Sequence, residues 1–262
     1  MSAVAALFPD EDFRFRMTMR RGRPEDFFQG WDAAGGLLKQ RRVTLQSAHA
    51  HCLRSTPEGD ALLPALFQLA AGWNLPKAGD WLGVGTQWEP DVLLLAPDVD
   101  GRYRLRGGAV CFPTGWALDE KIGRTLEEIH GVVPGLDASI GAAIHRLLGN
   151  LTPATAILRD NWGIAATDAL DLHPRHQVPP PCPPVRLEQL WLRVEHQALV
   201  GLPDGAGVVF GIRIVLHRLD AIAADPLLAR GLGRALASMP ENIAGYKGLR
   251  TIRAELCHRL AR

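Results

Sequence analysis

The chain has 262 residues, enough for one large domain or two small ones, and its 47% hydrophobic and 22% charged residues are an ordinary globular composition able to bury a sizeable core. Lysine plus arginine at 29 against aspartate plus glutamate at 28 leaves a net charge of +1, which excludes a global field drawing the chain to nucleic acid or an anionic membrane. Apolar runs fall far short of a bilayer span, no secretory signal is evident, and Cys52, Cys111, Cys182 and Cys257 follow no CxxC or CxxH spacing, so a soluble cytoplasmic protein with reduced thiols is expected.

Phe13 to Arg20 alternates apolar with basic residues, the period of a strand. Arg14, Arg16, Arg20, Arg21 and Arg23 form a positive patch that suits a charge-protected edge strand better than an anion site. Gly59 to Ala71 places Leu62, Leu63, Leu66, Phe67 and Leu69 at helical spacing, and Gly72 to Pro90, rich in Gly and Trp, reads as a loop. Val92 to Ala96 and Arg102 to Phe112 then form a hairpin about a turn ending Asp100-Gly101. Gly107 and Gly108 in its second arm predict a bulge or a close approach by another group.

The stretch Leu118 to Leu136 confines one histidine to a very short helix. Thr125 and Glu128 stand at capping-box spacing, Leu126 and Ile129 supply an apolar side, and Gly131 with Pro134 ends the turn just after His130. A helix this brief needs tertiary packing or a ligand to persist. Spacing alone makes His130 a capping or core histidine. Asp137 opens a second helix carrying Ile140, Ile144, Leu147 and Leu148 on one face, with His145 beside that face as a structural or exposed residue.

Thr155 to Thr167 is a further strand, with Ile157, Arg159 and Asn161 on one side and Leu158, Asp160, Trp162 and Ile164 on the other. His173 to Pro184 is too rich in proline for helix or sheet. Gln189 to Gly201 and Gly207 to His217 flank Pro203-Asp204-Gly205 as a long hairpin. Arg193, Glu195 and Gln197 share one face of its first arm; such a row is either solvated or lines a polar cavity. Asp225 and Pro226 cap a helix with Leu228, Leu232 and Leu236 inward, and Pro240 to Arg262, carrying Tyr246 and Lys247, is the last helical region. The order of elements predicts an α+β fold, an antiparallel sheet with helices gathered against it, and no strong domain boundary.

No dinucleotide fingerprint, P-loop, nucleophile elbow, HExxH or CxxC motif is present, and Gly83 and Gly85 lack the third glycine of a dinucleotide site. His49, His51 and Cys52 in HAHC could begin a metal site, but nothing downstream completes it at familiar spacing, so a polar turn is expected there; His173 and His176 read the same way.

Four blocks carry a resemblance: LDEKIGRTLEEIHGVVPGL at 118 to 136, LRDNWGI at 158 to 164, LWLRVEHQALVGLPDGAGVVFGIRIVLHRL at 190 to 219, and MPENIAGYKGL at 239 to 249. In order and spacing they resemble the haem-dependent oxidative N-demethylase family. The resemblance implies a single haem-binding domain over 1 to 262 with terminal extensions, built as a PAS-like twisted antiparallel sheet with helices on one face and at the termini. It implies haem b with His130 as the iron ligand, the opposite coordination position being left for dioxygen. Glu195 would then pair with a cationic amine, and Arg193 would serve an oxygen-side or propionate contact. Gln197, Asn161 and Trp162 would line the pocket, and Lys121 and Arg124 would meet the propionates. The implied reaction is oxidative N-demethylation of a small secondary or tertiary amine, with electrons from a separate flavin or iron-sulfur reductase and no nucleic-acid or membrane partner. The alternatives are a haem-binding sensor and a non-catalytic binding protein. The third block departs from the family at His196, where another basic residue is usual, and at Ala198, where a hydroxyl residue is usual, and both departures bear on the substrate.

Overall fold

The structure, a computed structural model, describes residues 4–14, 19–131 and 138–261, with side chains from 143 onward in the last segment. The chain forms β1 (Arg20–Gly22), α1 (Pro24–Phe28), α2 (Gly36–Cys52), β2 (Leu53–Ser55), α3 (Pro57–Ala61), α4 (Leu63–Gly72), α5 (Trp81–Gln87), β3 (Asp91–Pro97) and β4 (Tyr103–Ala109). It continues with α6 (Leu126–His130), α7 (Ala138–Gly149), β5 (Ala156–Ala165), β6 (Trp191–Gly201) and β7 (Val208–Arg218), and closes with α8 (Leu219–Ala223), α9 (Pro226–Ser238), α10 (Glu241–Tyr246) and α11 (Arg253–Leu260). All seven strands lie in one antiparallel sheet ordered β1-β5-β6-β7-β3-β4-β2, so the expected α+β class holds.

Both long hairpins form where turn chemistry places them. Glycine at 101 takes φ +78°, and Asp204 and Gly205 both adopt positive φ between β6 and β7. The β3–β4 register slips between Leu94 and Leu95, a bulge opposite the Gly107 segment. A Cβ on Gly107 would lie 2.4 Å from the Trp81 ring, so bulge and close approach coincide.

Helices cover both faces of the sheet. Val92, Leu94, Ala198, Val200 and Val209 meet Phe28, Leu45, Leu66, Trp73, Trp81 and Trp88 of the N-terminal half, while Leu192, Val194 and Ile164 meet Leu232, Leu236, Ile252 and Leu256 of the C-terminal helices. On the opposite face Leu93, Leu95, Leu105, Leu199 and Ile212 pack against Leu118, Leu126 and Leu148. The short α6 therefore lies on a face that the terminal helices leave clear.

Several expectations are corrected. The stretch 72 to 90 is not all loop: Asp80 accepts from Gly83 N at 2.7 Å and starts α5, whose buried Trp81 and Val84 are masked in the sequence by Gly83 and Gly85 on either side of Val84. The helix at Gly59 to Ala71 divides at Leu62, with Thr56 capping the first piece and Pro64 in the first turn of the second. HAHC is the last turn of the 17-residue α2, not a polar turn. That helix escapes pattern reading because a core position is held by Arg41, fully buried and bonded to Gly85 O at 2.9 Å and Asp91 Oδ1 at 2.6 Å. β1 is an edge strand as expected but spans only Arg20–Gly22; residues 15 to 18 of the proposed strand, like 132 to 137 at the helix junction, lie outside the described residues.

Candidate functional site

α6 is set by local chemistry. Glu128 N donates to Thr125 Oγ1 at 3.2 Å and Thr125 N donates to Glu128 Oε2 at 2.7 Å, the reciprocal capping box. Leu105 N donates to Arg124 O and Gly123 N to Leu105 O, so β4 holds the turn that feeds the helix. One turn later, His130 Nδ1 lies 2.9 Å from Leu126 O. A carbonyl only accepts, so Nδ1 carries the proton and Nε2 keeps its lone pair. Burial lowers the pKa of His130, and Arg159 and Lys121 lower it further by their charge, so the ring is neutral at physiological pH. His145, by contrast, is engaged with Glu127.

Arg159 belongs to β5 and faces the same side of the sheet as its cross-strand partner Gln197; Asn161 opposes Glu195 in the next such pair. Gln197 Nε2 donates to Glu195 Oε2 at 2.8 Å and Asn161 Nδ2 donates to the same oxygen at 3.2 Å. Both amides thus bond one oxygen, and among the described residues Oε1 carries neither bond. The carboxylate is 9% exposed. Its charge favours the protonated forms of Arg159, Arg193, Lys247 and Tyr246.

Lys247 was placed only in a helical region by its sequence, yet its Nζ donates to Trp162 O at 2.5 Å and Asn161 Oδ1 at 3.3 Å. Its nearest sequence signal is its place in the fourth block of the resemblance, and nothing in that block says that it reaches β5 from 86 residues away. Burial pushes its pKa down to about 8 from the usual 10.5. Between those values the unfolded chain holds a proton that the folded chain has released, so stability rises as pH increases through that window. The rise is on the order of 1–3 kcal/mol. Lys247→Met is expected to lose it, as read from urea midpoints of both proteins at about pH 8 and about pH 10; parallel midpoints would give Lys247 an ordinary pKa.

Two residues expected in the pocket do other work. Arg193 is 1% exposed, and its guanidinium donates to Thr114 Oγ1 at 2.9 Å, Ala169 O at 3.1 Å, Phe112 O at 3.0 Å and Leu170 O at 2.7 Å. These bonds make it a clamp on the segments at 112–114 and 169–170 instead of an oxygen-side or propionate partner. Trp162 alternates to the other face, where its ring lies edge-on to Phe8 at 5.1 Å and meets Lys247 Nζ at 5.0 Å from the ring centroid, while its carbonyl accepts from the same Nζ. His196 also faces away, with Nδ1 2.6 Å from Asp160 Oδ1 beside a cleft of about 180 Å³ walled by Phe27 and Trp31. Lys121 and Arg124 flank the turn before α6, Lys121 half-buried and Arg124 exposed.

A half-buried neutral imidazole with a free Nε2 lone pair, on a helix whose Leu126 packs with Leu93, Leu199 and Ile212, is a donor that fits a haem. Residues 40–257 match the family model described as haem-dependent oxidative N-demethylase, alpha subunit-like. The chain belongs to that family. No helix among the described residues is long and apolar enough to cross a membrane.

Proposed function

We propose that this chain holds a b-type haem on His130 and oxidatively demethylates a small secondary or tertiary amine, taking electrons from a separate flavin or iron-sulfur reductase. The observation that supports the reading is the Nδ1 bond to Leu126 O, which leaves the Nε2 lone pair of a neutral, partly buried ring available to a ligand. Bound haem supplies the redox chemistry that activates dioxygen. The chain's own residues do the remaining work. α6 orients the ring, and Lys121 and Arg124 in the preceding turn supply positive charge for propionates.

Glu195 receives the amine. Asn161 and Gln197 hold its carboxylate through Oε2, leaving Oε1 to accept from an ammonium group. Lys247 tethers Asn161 and so sets the far side of the same pocket. Arg193 acts at one remove by fixing the loops beside β6. A PAS-like architecture over 1 to 262 and a cytoplasmic location belong to the same reading.

Glu195→Gln keeps the shape and removes the charge. It is expected to retain haem while amine-induced shifts of the Soret band weaken by roughly 10-fold or more in amine affinity, the cost of a lost charge-assisted hydrogen bond. An unaltered amine titration would remove Glu195 from the site.

A further inference from the structure

The HAHC motif finds its missing partners in three dimensions. His51 ends α2, Asp119 lies in the turn after β4, and His173 opens the proline-rich loop after β5. His51 Nδ1 is 3.3 Å from Asp119 Oδ2, His173 Nε2 is 3.8 Å from Asp119 Oδ1, and the three ligand-bearing atoms all lie within 4.8 Å of one another. A tetrahedral zinc ion with bonds of about 2.0–2.2 Å separates its ligand atoms by roughly 3.3–3.6 Å, so a small contraction brings this set to coordinating distance.

A second observation points to a ligand. His173 is 7% exposed, and its buried Nε2 has no hydrogen-bond partner among the described residues; Asp119 Oδ1 is buried and unpartnered too. Two buried polar atoms 3.8 Å apart with no hydrogen-bond partner among the described residues cost stability unless something joins them. The nearby guanidinium of Arg175 is paired with Asp171.

We propose that His51, Asp119 and His173 form a binding site for a first-row divalent metal ion of the zinc type, which pins α2 to the two segments after β4 and β5. Two imidazoles and one carboxylate are a borderline donor set that suits such an ion and leaves a fourth position for water. Arg175 N donates to His173 Nδ1 at 3.1 Å, which places the ring's proton on Nε2. Metal binding at Nε2 moves that proton to Nδ1 and releases the Arg175 amide. The site is separate from His130 and does not depend on the haem reading.

Full-length protein stripped with a chelator and titrated calorimetrically with Zn²⁺ is expected to bind one ion per chain. Asp119→Asn, isosteric, and His51→Gln, at a half-exposed position, are each expected to weaken binding by roughly 100-fold or more, beyond the usual cost of disturbing a ligand's own hydrogen-bond partner. His49→Ala on the same helix end is expected to bind zinc like the wild type, haem content is expected to be unchanged in all three, and hydrogen exchange at the Arg175 amide is expected to speed up when zinc binds. Absence of stoichiometric binding, or wild-type affinity in both ligand variants, overturns the proposal.

Discussion

His130→Ala is expected to abolish stoichiometric haem binding, whereas His145→Ala leaves it intact. The two histidines sit 15 positions apart around one helix junction, and their environments differ in kind. His145 Nε2 is occupied by Glu127, while His130 gives its Nδ1 proton to Leu126 O and has Nε2 to offer. Disturbing the partner that orients a metal-bound histidine costs about 10–100-fold in affinity, and removing the ligand itself costs more. Added imidazole should restore part of the Soret absorbance in His130→Ala by supplying the lost donor to the space left by the side chain. If both variants keep full haem with unchanged spectra, the ligand is another residue; if His130→Ala loses haem and imidazole restores it, the role is ligation and not folding.

Arg193→Met is expected to destabilise the fold by on the order of 3–5 kcal/mol. Methionine fills much of the stem's volume but leaves the carbonyls of Phe112, Ala169 and Leu170 and the hydroxyl of Thr114 without their donor. The bond to Phe112 O is buried and the other three are partly buried, so water reaches the Phe112 carbonyl only if the segments that the guanidinium joins open. Burial already pushes the Arg193 pKa down to about 10, opposed by the charge of Glu195, Asp91 and Asp171. Arg193→Lys should recover only part of the loss, since an ammonium cannot span the fork. The urea midpoint at constant m-value measures both effects, and a midpoint within error of wild type for Arg193→Met would show that the clamp carries no stability.

Features specified by neighbouring residues were legible in advance. The capping box at Thr125 and Glu128, the Asp225 cap with Pro226, and the turn at Asp204-Gly205 each close bonds within a few residues, and each formed as read. α2 and α5 were not legible, because Arg41 stands at a core position of the first and glycines interrupt the apolar period of the second. The partners of Arg193 were not legible for a related reason. Strand alternation assigned its face correctly, but the partners that consume its donors lie 79 and 24 residues away.

By itself, the sequence determined the α+β class, the two hairpins, the α6 cap that presents His130, and the family, because propensity, alternation and capping act over a few residues and four ordered blocks identify a lineage. Only the tertiary structure decided which polar groups of β6 are bound by the chain, that Lys247 reaches Asn161 and the Trp162 carbonyl, and that His51, Asp119 and His173 converge. The reason is that a buried polar group takes whatever partner the packed chain brings within about 3 Å, and sequence separation places no limit on that choice.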